Sequence, residues 1–402
     1  MKVFVTRTIP PEGQALLAQT GIFFHGAIDH QLHLLLLLSS PSALPPWIGS
    51  PGYISDWPTL SFLIGVENRE VLVFWKPVAG RRHDFLLCLA SDIGDKYQSV
   101  TSFKLEQWDS DEPISREDLL KGVAGAHGIL CLLSDKIDKE VLDAAGSNLK
   151  VISTLSVGVD HLAVDEIKKR GIRLGYTPDV LTDATAELAV ALLLTTSRRL
   201  PEGIQEAKNG GWISWKPLWM CGYQLLNSTV GIIGLGRIGQ AIARRLKPFG
   251  VQKFLYTGRR PRAKEAAEFQ AVFVPLEQLA AQSDFVVVSC ALTPETQELC
   301  NKNFFQKMKK TAVFVNVSRG DVVNQEDLYQ ALTNGQITAA GLDVTSPEPL
   351  PTNHPLFSLK NCVILPHMGS ATYGTRNTMS VLAVNNLLAG LKGEPMPSEF
   401  KL

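Results

Sequence analysis

Three polar residues stand where apolar runs end. Arg319 follows VFVNVS, Glu348 sits in GLDVTSPEP, and His367 follows VILP. A guanidinium can take a carboxylate through two parallel hydrogen bonds and polarise a carbonyl next to it. An imidazole beside a carboxylate is favoured in its protonated form and can pass that proton to a carbonyl oxygen. Together these groups suit the reduction of a carbonyl that carries a neighbouring carboxylate, a small 2-oxo acid, if a hydride donor lies alongside. A histidine can also serve as plain core packing. His367, however, comes just beyond a proline at the end of a strand-like run, where open α/β sheets bind their ligands.

The stretch GIIGLGRIGQ supplies a place for the donor. Gly234, Gly236 and Gly239 have G-x-G-x-x-G spacing, and the stretch follows an apolar strand and opens a helix. That context lets backbone N–H groups approach a pyrophosphate, with the helix N-terminus favouring its charge. The reading assigns Gly234, Gly236, Arg237, Ile238 and Gly239 to a dinucleotide. An acidic residue about twenty positions later usually takes the ribose hydroxyls of NAD. Here the chain reads YTGRRPR instead, with Thr257 and Gly258 in that place and Arg259, Arg260 and Arg262 following. Gly258 removes the repulsion of a 2′-phosphate, and Arg259 and Arg260 stand where the phosphate would lie. NADPH is therefore expected to be preferred, with NADH weaker. The alternative is a solvated basic turn.

Positioning these groups requires sheets. From about Val230 the chain alternates short β-branched runs (TVGIIG, FLYTG, DFVVVSC, AVFVNVS, AAGLDV, CVILP) with amphipathic helical stretches, the signature of a parallel, doubly wound sheet. A shorter version of the pattern opens the chain and returns in GILCLLS, LKVISTLS and RLGYTP. The fold class is α/β, with two Rossmann-like or flavodoxin-like domains, parallel sheets and a long linking helix broken near Pro201. Thr182 or Asp183 is the expected N-cap of that helix. The predicted limits are 1–180 plus 373–402 for a substrate-binding domain and 181–372 for the dinucleotide-binding domain. The stretch 21–103 interrupts the first domain and shows no sustained repeat of 3.6 or 2. It is expected to be a solvent-exposed, weakly ordered loop.

Composition excludes little but points consistently. In 402 residues, 39 basic and 39 acidic side chains cancel, so neither a nucleic acid nor an anionic membrane is favoured as a partner. The leucine run 34–38 is far too short to span a bilayer. The six cysteines include no C-x-x-C pair and suit a reducing compartment, and no metal is expected. The opening MKVFVTRTIP reads as a strand rather than a secretory signal, so the expected location is cytoplasmic.

The motifs GLGRIG, NVSRGDVV, AAGLDV, EPL and LPHMGSAT, in this order from Gly234 to Thr372, resemble those of the D-isomer-specific 2-hydroxyacid dehydrogenases. The resemblance is nearest to the animal branch that reduces glyoxylate and hydroxypyruvate, and it covers 1–20 and 105–402. It implies catalytic roles for Arg319, Glu348 and His367. It also implies a nicotinamide contact at Asp343, with Val317 and Gly369 at the cofactor. In LSVGVDH it implies that the N–H groups of Val157 and Gly158 hold the substrate carboxylate. A homodimer built on the cofactor domain is implied as well. Trp212, Trp215 and Trp219 would then be interface residues, with Trp215 a wall of the neighbouring active site, unless they are simply buried packing. Two alternatives stand beside the reductase. One is a dinucleotide-sensing scaffold of the corepressor type, and the other is a chain inactivated by the insertion.

Overall fold

The structure, a computed structural model, describes residues 1–19, 60–66, 69–75 and 104–402. In chain order the strands are β1 (Lys2–Val5), β2 (Leu60–Val66), β3 (Arg69–Trp75), β4 (Lys104–Gln107), β5 (Gly128–Cys131), β6 (Val151–Thr154), β7 (Arg173–Gly175), β8 (Thr229–Ile233), β9 (Lys253–Thr257), β10 (Val272–Phe273), β11 (Phe285–Val288), β12 (Val313–Asn316), β13 (Ala339–Leu342) and β14 (Cys362–Ile364). Two compact units emerge, 1–178 with 377–402, and 179–376.

The first unit holds a five-stranded sheet in the order β4-β1-β5-β6-β7, parallel throughout. Its central strands GILC and VIST are buried along their whole length. Strands covered on both faces read as continuous apolar runs rather than alternating ones. Phe4, Ile129, Ile152 and Leu174 are part of one core here, together with Val141 and Leu142 of the helix Lys139–Ala145. The last segment belongs to this unit too. Glu399 bridges Gly175 in antiparallel fashion, and its carboxylate takes the Arg173 guanidinium at 2.8 and 2.7 Å.

The second unit holds a seven-stranded parallel sheet in the order β10-β9-β8-β11-β12-β13-β14. The chain turns one way from β8 to β9 and the other way from β8 to β11. That reversal is the switch point at which such sheets bind ligands. Register makes the edge level. Thr257 pairs with Ile233, Ile233 with Val288, Val288 with Asn316, Asn316 with Leu342, and Leu342 with Ile364. Each of these residues is the last of its strand, so the loops starting at Gly258, Gly234, Ser289, Val317, Asp343 and Leu365 leave the sheet side by side. Cores on both faces hold the strands in this row. Phe304, Phe305 and Phe314 meet edge to face in one, and Leu192, Ile242 and Leu246 pack with Val313 and Val315 in the other.

The structure departs from the sequence reading in two places. The long helix is Thr182–Ser197, and its N-cap is Leu181 rather than Thr182 or Asp183. The Thr182 N–H is already turned onto the Asp179 carbonyl at 2.9 Å, and the Asp183 carboxylate takes Arg245 at 2.9 Å, so neither side chain caps. The helix breaks as expected, at Arg199, whose φ of +57° starts a second helix, Leu200–Lys208, with Pro201 in its first turn. The second departure lies in 21–103. There β2 and β3 pair antiparallel from Leu60 with Trp75 to Val66 with Arg69. LSFLIGV is apolar almost throughout, so no alternation announced it as a strand. The expected exposed loop otherwise lies outside the described residues. Among the described residues, no helix is long and apolar enough to cross a membrane.

Candidate active site

At the switch point β8 runs into Gly234, whose N–H donates to the Thr257 carbonyl at 3.0 Å. Gly234 has φ +97°, and a Cβ there would lie 2.8 Å from the backbone of Cys290. The helix Arg237–Leu246 begins three residues on, capped by Gly236, around which a Cβ would meet nothing within 4 Å. Gly239, inside its first turn, leaves room for the Gly234 carbonyl, which a Cβ would approach to 2.3 Å. The Ser289 hydroxyl donates to that carbonyl at 2.9 Å. A narrow turn, an open concavity and a helix N-terminus are the parts of a pyrophosphate cradle, so the residues present fit a dinucleotide. Gly234→Ala is expected to weaken NADPH binding by about tenfold or more and to lower the melting temperature, because alanine meets both a disfavoured φ and a backbone wall. Titration calorimetry beside a thermal melt checks both effects, and unchanged affinity would remove the loop from the cofactor site.

The basic turn follows β9. Gly258, Arg259 and Arg260 are exposed, and no neighbour would meet a Cβ at Gly258 within 4 Å. Arg262 is spoken for by Glu265 at 3.6 Å. Glu295 is held below the usual carboxylate range, first by hydrogen bonding to Thr293 and also by the Arg259 charge. Arg237, at the helix start, pairs with Asp179 at 2.5 Å through two largely exposed side chains, so its guanidinium is partly occupied.

Farther along the same edge stand Arg319, Asp343, Glu348 and His367. Arg319 caps a 3-10 turn, Gly320–Val322, and its Nη1 donates to the Ser318 carbonyl at 2.9 Å. His367 Nδ1 meets Glu348 Oε2 at 2.8 Å, and the other oxygen, Oε1, accepts the Thr345 N–H at 3.0 Å. Burial pushes the Glu348 carboxyl up, but the His367 hydrogen bond and charge, the Thr345 N–H and the Arg319 charge outweigh it and hold the group below its ordinary value. Glu348 is thus an anion at neutral pH and His367 faces it. His367 has φ +54°, a left-handed conformation that costs a non-glycine residue about 1 kcal/mol or more. Asp343 is buried below this loop, and burial raises its carboxyl despite N–H donors from Met368 and Gly369. The arrangement can present a guanidinium and a proton-bearing imidazole from adjacent strand ends.

Val157 and Gly158 belong to the first unit, in the loop after β6. The Ser156 hydroxyl donates to the Gly158 carbonyl at 2.7 Å and stands 2.9 Å from the Thr154 hydroxyl, which meets His161 Nε2 at 3.0 Å. Val157 and Gly158 are both half-buried. Trp215 is not part of the cluster in its own unit. It is 80% exposed, beside Ile213 at 84% and Leu218 at 87%, so these aromatic and aliphatic side chains are not buried packing within the chain.

Residues 190–369 match the family description "D-isomer specific 2-hydroxyacid dehydrogenase, NAD binding domain". The human protein named glyoxylate reductase/hydroxypyruvate reductase is 79% identical over 299 residues, 74% of this chain and 91% of its own length. The chain belongs to the D-isomer-specific 2-hydroxyacid dehydrogenases. Family membership makes it an oxidoreductase that binds a nicotinamide dinucleotide. Solved structures agree with the fold. A protein from Thermus thermophilus superposes with a TM-score of 0.74 at 34% identity, covering 100% of both chains. An NADPH-dependent glyoxylate/hydroxypyruvate reductase from Sinorhizobium meliloti, solved with NADP and malonate, superposes with a TM-score of 0.64 at 33% identity, covering 74% of this chain and 90% of its own.

Some members of this dehydrogenase's site escaped sequence reasoning. Asn316 is fully buried at the end of β12. Its Nδ2 donates to the Arg319 carbonyl at 2.9 Å, and its Oδ1 accepts the Ser318 N–H at 3.0 Å, which shapes the Arg319 loop. A lone asparagine inside VFVNVS was the available signal. Gln325 holds the loop before Glu348 by exchanging hydrogen bonds with both backbone groups of Ser346, accepting its N–H at 2.9 Å. A contact spanning 21 residues leaves no local mark in the sequence.

Proposed function

We propose that this chain reduces small 2-oxo acids, glyoxylate to glycolate and hydroxypyruvate to D-glycerate, with NADPH preferred over NADH. The observation that carries the reading is the His367–Glu348 contact at the carboxyl edge of a dinucleotide-binding sheet, with Arg319 within electrostatic reach. The names of the human and Sinorhizobium meliloti relatives support the substrate class. The bound dinucleotide supplies the hydride. Arg319 binds the substrate carboxylate and polarises the adjacent carbonyl. His367, whose Nδ1 meets the Glu348 carboxylate at 2.8 Å, gives a proton to the carbonyl oxygen as negative charge develops there. The family resemblance assigns a carboxylate-binding role to the N–H groups of Val157 and Gly158. Asp343, Val317 and Gly369 contact the nicotinamide end, and Gly234, Gly236, Arg237, Ile238 and Gly239 the pyrophosphate. The exposed run through Trp212, Ile213, Trp215 and Leu218 has the apolar character of a surface that a second copy covers, which supports a homodimer with Trp215 reaching the partner's site.

Steady-state oxidation of NADPH by the full chain tests the reading, with glyoxylate and with hydroxypyruvate as substrates. Turnover with either supports it, and binding without turnover would mark a dinucleotide sensor instead. Cofactor choice has its own test at Arg259. A charge-assisted hydrogen bond is worth about 1.5 to 3 kcal/mol, the lower end applying to an exposed side chain, which corresponds to roughly tenfold in affinity. Arg259→Ala is therefore expected to raise the KM for NADPH about tenfold while that for NADH moves little. Equal weakening of both, or an initial preference for NADH, would leave the turn a solvated surface.

A further inference from the structure

The loop that carries His367 hangs on one residue of the sheet. Asp343 Oδ1 accepts the Met368 N–H at 2.6 Å, and Oδ2 accepts the Gly369 N–H at 2.9 Å. The Asp343 carbonyl accepts the His367 N–H at 2.9 Å. Consecutive amides thus converge on a side chain that is 1% exposed and is itself fixed through its N–H to the Asn316 carbonyl at 2.9 Å. Extended backbone alternates its N–H directions, so turning neighbouring amides toward one acceptor requires a curl. The curl falls at His367, in its left-handed φ of +54°. That backbone setting aims Nδ1 at Glu348, 2.8 Å away.

We propose that Asp343 is a positioning residue for His367, its carboxylate clamping the Met368 and Gly369 amides so that the imidazole is held in the strained geometry in which it meets Glu348. The proposal rests on the reading of His367 as proton donor and deepens it. A contact from Asp343 to the nicotinamide would use lone pairs left over from the clamp, because each carboxylate oxygen can accept more than one hydrogen bond. What the clamp does is separate from that contact. It sets the imidazole, and misplacing a reacting group by about an ångström costs up to roughly 100-fold in rate.

A double-mutant cycle between Asp343→Asn and His367→Gln separates these roles. Asparagine keeps the shape but turns an N–H donor toward an N–H donor, which releases one arm of the clamp. With NADPH and glyoxylate, Asp343→Asn alone is expected to lower kcat about 10-fold or more. In the His367→Gln background it should lower kcat by less than about twofold, because there is no donor left to position. NADPH affinity, titrated without substrate, reports the nicotinamide contact of Asp343 and should fall by less than kcat does. Equal losses in both backgrounds, or a fall in NADPH affinity as large as the fall in kcat, would overturn the positioning role while leaving the proton donor in place. Normal turnover by His367→Gln alone would overturn the proton-donor reading and the proposal with it. If Asp343→Asn does not fold, Gly369→Ala enters the same cycle, since its Cβ would stand 3.1 Å from Asp343 Oδ2 and shift the carboxylate. Coupling to His367→Gln then supports the clamp, and additive losses overturn it.

Discussion

His367→Gln is expected to lower the turnover of glyoxylate about 100-fold or more, the scale of a lost general acid, while NADPH binding stays nearly intact. Glutamine can still hydrogen-bond a carbonyl oxygen, but it carries no proton to give at neutral pH. The partner of His367 sets a pH dependence of stability. Glu348 lies below the usual carboxylate range, so its folded value is depressed. Its contribution to stability is therefore present above the unfolded value, near 4.5, and is lost only as pH falls through the lower folded value. Across neutral pH the carboxylate stays ionised. Near-normal turnover by the variant would return His367 to the class of structural histidines.

Arg319→Ala is expected to damage both substrate affinity and turnover, with kcat/KM for glyoxylate falling about 1000-fold or more. Loss of one fully engaged electrostatic donor costs about 100- to 1000-fold, and a bidentate carboxylate contact adds to it. The effect should be specific to the 2-oxo acid and leave dinucleotide affinity close to native. The fold should survive, because Asn316 holds the loop through the Arg319 carbonyl rather than through its side chain. A change confined to the melting temperature would defeat the assignment.

How far these residues could be read in advance depends on the range of the interactions that place them. Parallel sheets were legible because FVVV, VFVN and AAGL are buried on both faces, which leaves unbroken apolar runs separated by helical stretches. The Gly234 turn was legible because a positive φ and a close backbone approach both demand glycine at fixed spacing. Arg319, Glu348 and His367 could be singled out as polar residues after strand ends, and the sheet register brings their loops to one edge. The supports of the site were not legible. Gln325 on Ser346 and Asp343 on the 367–369 amides bridge long stretches of chain, and nothing local distinguishes them from surface or ligand-binding residues. The N-cap at Leu181 was misplaced because a backbone contact from Thr182 to Asp179 does the work expected of a side-chain cap. The pairing of β2 with β3 was missed because neither strand alternates.

The central claim is that this chain turns over a 2-oxo acid rather than only sensing a dinucleotide. The measurement that meets it most directly is the stoichiometry of product to cofactor, with glycolate quantified against NADPH consumed by the purified full chain supplied with glyoxylate. One glycolate is expected for each NADPH oxidised, at a rate that falls about 100-fold or more in His367→Gln and is slower when NADH replaces NADPH. Saturable NADPH binding with no glycolate formed would contradict it.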